Sequence, residues 1–116
     1  MSFGSPASDY VEKSLDLNQY LVPHKAATYF LKVSGDAMKN AGIIDGDFLV
    51  VDRSLKIENN QIIVVEQDGE LVVRRFKNAN NQICLMPENE KYRPVFLRSP
   101  ENLVIWGSVS AVFRKL

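Results

Sequence analysis

The sequence predicts a mostly β fold: one highly twisted, partly closed β domain of about seven short strands behind an N-terminal arm. Three observations lead there. Runs rich in Val, Ile, Phe and Tyr recur from residue 27 to the end of the chain. Turn-forming stretches separate them, DGD at 45–47, ENNQ at 58–61 and NANNQ at 78–82. A length of 116 residues suits one hydrophobic core and not two.

Residues 1–26 read as the arm. GSPAS is turn and coil material, and DYVEKSL carries the signals of a short helix, with Asp9 as N-cap and Glu12 three residues on. Pro23 then breaks the chain before the strands begin. Phe3, Tyr10, Val11, Leu15, Leu17, Tyr20 and Leu21 make the arm apolar enough to pack on its own domain or on a second chain. His24, the one histidine, follows a proline in a polar stretch and reads as a solvated loop residue.

From residue 27 to 116 the strand candidates are ATYFLKVS, DFLVVD, QIIVVEQ, ELVVRRFK, QICLMP, PVFLR and LVIWGSVSAVFR. QIIVVEQ and ELVVRRF form the clearest hairpin, because Asp68-Gly69 supplies the positive φ angles of a tight I′ turn. Alternation on the last strand assigns Leu103, Ile105, Val109, Ala111 and Phe113 to the core. Its other face, Val104, Trp106, Ser108, Ser110 and Val112, is then too apolar for free solvation. Either the arm or another sheet covers that face, or it is a subunit interface with Val104 and Trp106 as candidates.

Composition excludes several classes. The chain is 46% hydrophobic and 24% charged, without a run approaching the roughly 18 apolar residues of a membrane span. The N-terminus lacks the basic and apolar regions of a signal peptide, so a cytoplasmic location is expected. Cys84, the one cysteine, has no internal disulfide partner and reads as a buried strand residue; no Cys/His cluster offers a metal site, and no cofactor is expected. A net charge of zero argues against direct sequence-specific nucleic-acid binding, so any link to DNA runs through a protein partner.

Four ordered stretches remain: SGDAM at 34–38, GIIDGDFLVVD at 42–52, DGELVVRRF at 68–76 and LMPENEKYRPV at 85–95. Together they resemble the self-cleaving LexA/UmuD family of Ser-Lys peptidases. In that family a serine precedes the Met of the first motif, and the first basic residue after the D-G-E of the third is the catalytic lysine. The resemblance thus assigns the nucleophile position to Ala37 and the general-base position to Arg74. Ser34, Gly35, Asp36, Met38, Asp68, Gly69 and Glu70 carry the surrounding motifs.

Both substitutions remove chemistry. Ala37 has no hydroxyl, and a guanidinium with a pKa above about 12 is no general base at neutral pH. Arg75 points to the other face of its strand. Lys77 is also on the wrong face and about 10 Å further along, at roughly 3.3 Å per residue. Ser34 belongs to a strand end with no base placed for it.

The arm adds to the resemblance, since FGSPASDYVEKSLDLNQYL is similar to the start of UmuD-type members after self-cleavage, with Met1 and Ser2 where the cut Cys-Gly bond lies. The family's removable segment and an upstream helix-turn-helix are both expected to be missing. The resemblance implies a homodimeric accessory subunit of a translesion polymerase of the polymerase V type in SOS mutagenesis. Its implied partners are a UmuC-type DNA polymerase, the RecA filament and full-length UmuD. Two alternatives stay open: a self-cleaving peptidase domain inactivated at its nucleophile, and the dimerisation half of a prophage repressor.

Overall fold

The computed structural model describes residues 14–99, 101 and 103–116. The helix expected from Asp9 lies outside them. Among the described residues, α1, Leu17–Leu21, is capped by Asp16, whose Oδ1 accepts from the Asn18 and Gln19 amides at 3.0 and 3.3 Å. A single 3-10 turn, Lys25–Ala27, leads into the first strand.

Seven strands follow where the apolar runs place them: β1 Thr28–Lys32, β2 Phe48–Asp52, β3 Ile62–Gln67, β4 Glu70–Ala79, β5 Gln82–Met86, β6 Val95–Leu97 and β7 Val104–Phe113. All pairings are antiparallel, in the order β1-β2-β7-β3-β4-β5-β6. The sheet does not close into a barrel; β1 and β6 are its edges. At the β3–β4 hairpin, Asp68 and Gly69 take φ of 52° and 82° and Gln67 pairs with Glu70, the I′ geometry that the sequence requires.

Strand β3 reads as an unbroken apolar run because both its faces are covered. Val64 joins a cluster of Met38, Ile43, Leu49, Val51 and Val73, while Ile63 and Val65 join one of Phe76, Ile83 and Leu85 on the opposite face. Cys84 is buried on β5, and burial pushes its thiol pKa up, as befits a core residue.

Simple alternation fails on β7. Two bulges shift its register, at Trp106 against β3 and at Ser110 against β2. Leu103 and Ile105 therefore pack with the Ile63 cluster, whereas Val109, expected beside them, packs with the Met38 cluster. Gly107 permits the first bulge. Its φ is 145°, and a Cβ there would fall 2.8 Å from Val51 Cγ1.

Trp106 is half-buried against the Met38 cluster, with the Arg53 guanidinium 5.3 Å over its ring, so its own chain covers part of the apolar face noted above. Val104 remains half exposed.

His24 corrects another expectation. Its Nδ1 lies 2.6 Å from Oδ2 of Asp52, a buried carboxylate 28 residues away whose Oδ1 also accepts from the Ser54 amide and hydroxyl. Burial pushes the Asp52 carboxyl up, but the bonds from Ser54 and His24 outweigh it and its pKa is lowered. The histidine is half exposed, yet it is the polar fastening of the arm to β2.

Candidate functional site

The SGDAM stretch leaves β1 in a turn that Gly35 makes possible, with φ of 92°. Its shape is set from two sides. On one, the Gly35 amide donates to Asp45 Oδ1 at 2.7 Å, and the Val33 amide and carbonyl bond the Asp47 carbonyl and the Gly46 amide, each at 2.8 Å. Asp47 is buried and gripped by Arg114, whose Nε and Nη2 donate to its two carboxylate oxygens at 2.6 and 2.8 Å. That bond holds the Asp47 carboxyl low and ties the chain's last residues to the DGD turn.

The other side is the connection between β5 and β6, the ENEKY of the fourth motif. The Glu88 amide donates to the Ala37 carbonyl at 2.9 Å, and the Asn40 amide returns a bond to the Glu88 carbonyl at 2.9 Å. Asn89 Nδ2 donates to the Asp36 carbonyl at 2.8 Å, and the Tyr92 hydroxyl donates to Asp36 Oδ1 at 2.7 Å. The phenol-carboxylate bond lowers the pKa of Asp36 and raises that of Tyr92. Met38 is driven into the core at 3% exposure, leaving Ala37 at the surface of a cleft. Nothing in the sequence marks Tyr92 or Asn89 as chemical; their task is to hold a backbone more than 50 residues away.

The cleft has a volume of about 340 Å³ and runs between β1 and the first half of β4. Ala37 and Arg74 both line it, so the fold brings together the two positions that the sequence singles out. Ser34, Met38 and Glu70 line it too, whereas Asp68 and Gly69 form the hairpin turn beyond. Arg74 lies with its guanidinium carbon 5.8 Å from the Tyr92 ring, and its Nη1 donates to the Val73 carbonyl at 2.8 Å. Burial pushes its pKa down, though a guanidinium stays protonated. Arg75 is held elsewhere, by Glu88 Oε1 at 2.5 Å and the Asn60 carbonyl at 2.7 Å.

Sequence reasoning missed Lys32, which shares the β1 wall of the cleft with Ser34. The signal was available, since residues two apart on a strand share a face. Among the described residues no hydrogen bond joins the Ser34 hydroxyl to Lys32 or to any other group, so Ser34 is not activated.

The turn thus sets residue 37 on the wall of a cleft that a basic residue, Arg74, also lines. The comparisons with known proteins decide the family. Residues 1–110 match the Peptidase S24-like family. The chain belongs to the S24-like peptidase family. Protein SamA of Salmonella typhimurium is 42% identical over 113 residues, 97% of this chain and 78% of its own. Protein MucA of Escherichia coli is 44% identical over 110 residues, 93% of this chain and 74% of its own. The LexA repressor of Hahella chejuensis is 42% identical over 91 residues, 78% of this chain but 46% of its own.

As an S24-like domain the chain has Ala37 and Arg74 on one cleft, and neither side chain is a nucleophile or a general base. Covalent attack on a carbonyl needs a nucleophilic atom and a base to deprotonate it. Position 37 offers a methyl group, and position 74 offers a permanent cation. What the cleft retains is shape, two strand edges and positive charge.

Proposed function

We propose that the chain is a UmuD-type accessory subunit of an error-prone, UmuC-type DNA polymerase. In this reading it acts in SOS mutagenesis as a cytoplasmic homodimer with the RecA filament, and its peptidase site is silent. One observation carries the choice within the family. The matches to SamA and MucA extend over 97% and 93% of the chain, arm included, whereas the LexA repressor match covers 78%. A repressor's dimerisation half would not require the arm to match. Ala37 and Arg74 support the silent site: in the Ser-Lys scheme they stand where the nucleophile and base belong, and neither can do that work.

Two surfaces are available for a second copy. Val104 is half exposed on β7 and keeps its place as an interface candidate, whereas Trp106 contributes mainly to the chain's own core. Phe30, Phe48 and Phe113 form an exposed aromatic cluster on β1, β2 and β7. Phe48 is stacked on Phe113 at 5.5 Å, and Phe30 is edge-on to Phe113 at 5.9 Å. Apolar area of this kind is favourable to bury against a partner.

The test joins sedimentation with cleavage. The chain is expected to sediment as a dimer at micromolar concentration and to bind a UmuC-type polymerase; a monomer that binds no polymerase overturns the reading. Supplied with a mate carrying an intact cleavage segment, the chain should cut nothing, while Ala37→Ser with Arg74→Lys should restore cleavage. Failure of that pair would show that more than two groups have been lost. Cleavage by Arg74→Lys alone would overturn the role given to position 37.

A further inference from the structure

We propose that the cleft beside Ala37 is a receptor for the carboxylate of an extended peptide, with Arg74 as the group that holds it. The inference rests on the reading of this cleft as non-cleaving and gives it a ligand.

The first support is the backbone. The cleft lies between β1, whose strand partner is β2, and residues 70–74 of β4, whose strand partner is β3; β5 pairs only with residues 75–79. Both walls thus present outer strand edges without a partner among the described residues. Unpaired amide and carbonyl groups of this kind are satisfied by adding a strand. The side chains of Leu31, Val33, Met38 and Leu71 supply the apolar part of a mixed lining, suited to small aliphatic residues of an extended segment that also carries a polar group.

The second support is Arg74. The adjacent Arg75 is neutralised by Glu88, and Arg114 by Asp47. Among the described residues no carboxylate comes within ion-pair distance of Arg74, and Asp36, the acid of the adjacent loop, is turned to the Tyr92 hydroxyl. One Nη1 proton goes to the Val73 carbonyl; among the described residues the remaining donors of the planar fork have no partner. A partly desolvated cation without a counter-charge is costly, and a carboxylate relieves that cost with two parallel hydrogen bonds. The guanidinium carbon also lies 5.8 Å from the Tyr92 ring, an aromatic face that favours a cation.

Charge also orients the ligand. Glu70 lies along the same β4 wall and repels an anion, while Lys32 on the opposite wall attracts one. The carboxylate therefore sits at the Arg74 end. It comes either from a chain terminus or from an Asp or Glu side chain.

The experiment uses the full chain, labelled with 15N, and three probes: acetyl-Ala-Val-Ala-Val-Ala with a free terminal acid, its terminal amide, and acetyl-Ala-Val-Ala-Val-Asp as an amide. Titration followed by NMR should show an acid-bearing probe binding about tenfold tighter than the plain amide, with shifts at the Ala37 amide and the Arg74 side chain. Whichever acid binds tighter assigns the source. Arg74→Gln should abolish the difference and Arg74→Lys should keep part of it. Equal affinity of acid and plain amide for the unaltered chain, or no shift at either residue at millimolar probe, overturns the proposal even if a variant fails to fold. Recovered probes should be intact by mass spectrometry. Cut probes would overturn the non-cleaving reading, leaving the acid-to-amide ratio to judge the binding.

Discussion

The loop at residues 34–38 and the arm at 14–24 are both irregular segments laid on the same sheet, and they are fastened in opposite ways. The loop buries Met38 and is gripped at Gly35, Asp36 and Ala37 by Asp45, Asn89, Tyr92 and Glu88. The arm buries no residue of α1, leaves Leu17 61% and Tyr20 70% exposed, and relies on the His24–Asp52 bond with Leu21 and Pro23 nearby. Pre-organisation belongs to the loop. A frame this well braced is what a binding cleft needs, whereas an arm with exposed apolar side chains is what a partner can capture.

The largest effect should come from breaking the loop's anchor. Met38→Ala removes a side chain packed among Ile43, Leu49, Val51, Val64 and Val73, and should cost about 2–5 kcal/mol of unfolding free energy in a urea titration. A cost below about 1 kcal/mol would mean that the loop is not held by its core residue, and the contrast with the arm would collapse.

Asp52→Asn tests the fastening of the arm and should have an intermediate effect. Loss of the carboxylate weakens the bonds from His24 and Ser54, at about 1–3 kcal/mol, and should speed proteolysis within residues 14–24 before the sheet is cut. The acid response gives a second readout. The folded-state pKa of Asp52 is lowered, so the folded form binds fewer protons than the unfolded one below the ordinary carboxylate pKa of about 3.9. Its contribution is complete above that pH and is lost as the pH falls through the lower, folded value. The stability gap between the unaltered chain and Asp52→Asn should therefore narrow below about pH 4. A gap that is the same at every pH would exclude the carboxylate's charge as its source.

These two sites also differ in how far the sequence discloses them. The strands, the Asp68-Gly69 turn and the shared cleft of positions 37 and 74 were legible, because β-branched runs, turn residues and ordered motifs are local signals. The His24–Asp52 bond was not, since 28 residues of chain separate the two and nothing local to either names the other. The faces of β7 were misread for a related reason: counting by twos assumes an unbroken ladder, and bulges at Trp106 and Ser110 break it. Gly107 inside the strand was the available warning, as a glycine there marks a bulge or a close backbone approach. The bracing role of Asn89 and Tyr92 left no local trace, although the motif around them helped to mark the family.

The smallest effect should come from the outer face of α1. Leu17→Ser replaces a side chain that is mostly in water, so it should change unfolding free energy by no more than about 0.5 kcal/mol. The contrast with Met38→Ala would then be several-fold between two apolar residues of similar size, with burial as the difference. Exposed apolar area carries a cost only until something covers it. If the arm is a partner's handle, the same Leu17→Ser that leaves the isolated chain unmoved should weaken capture by a UmuC-type polymerase or a second copy. Sedimentation and pull-down at equal concentrations would measure this. If neither is altered, the exposed face of α1 is a tolerated surface, and partner recognition belongs to the aromatic cluster of Phe30, Phe48 and Phe113 instead.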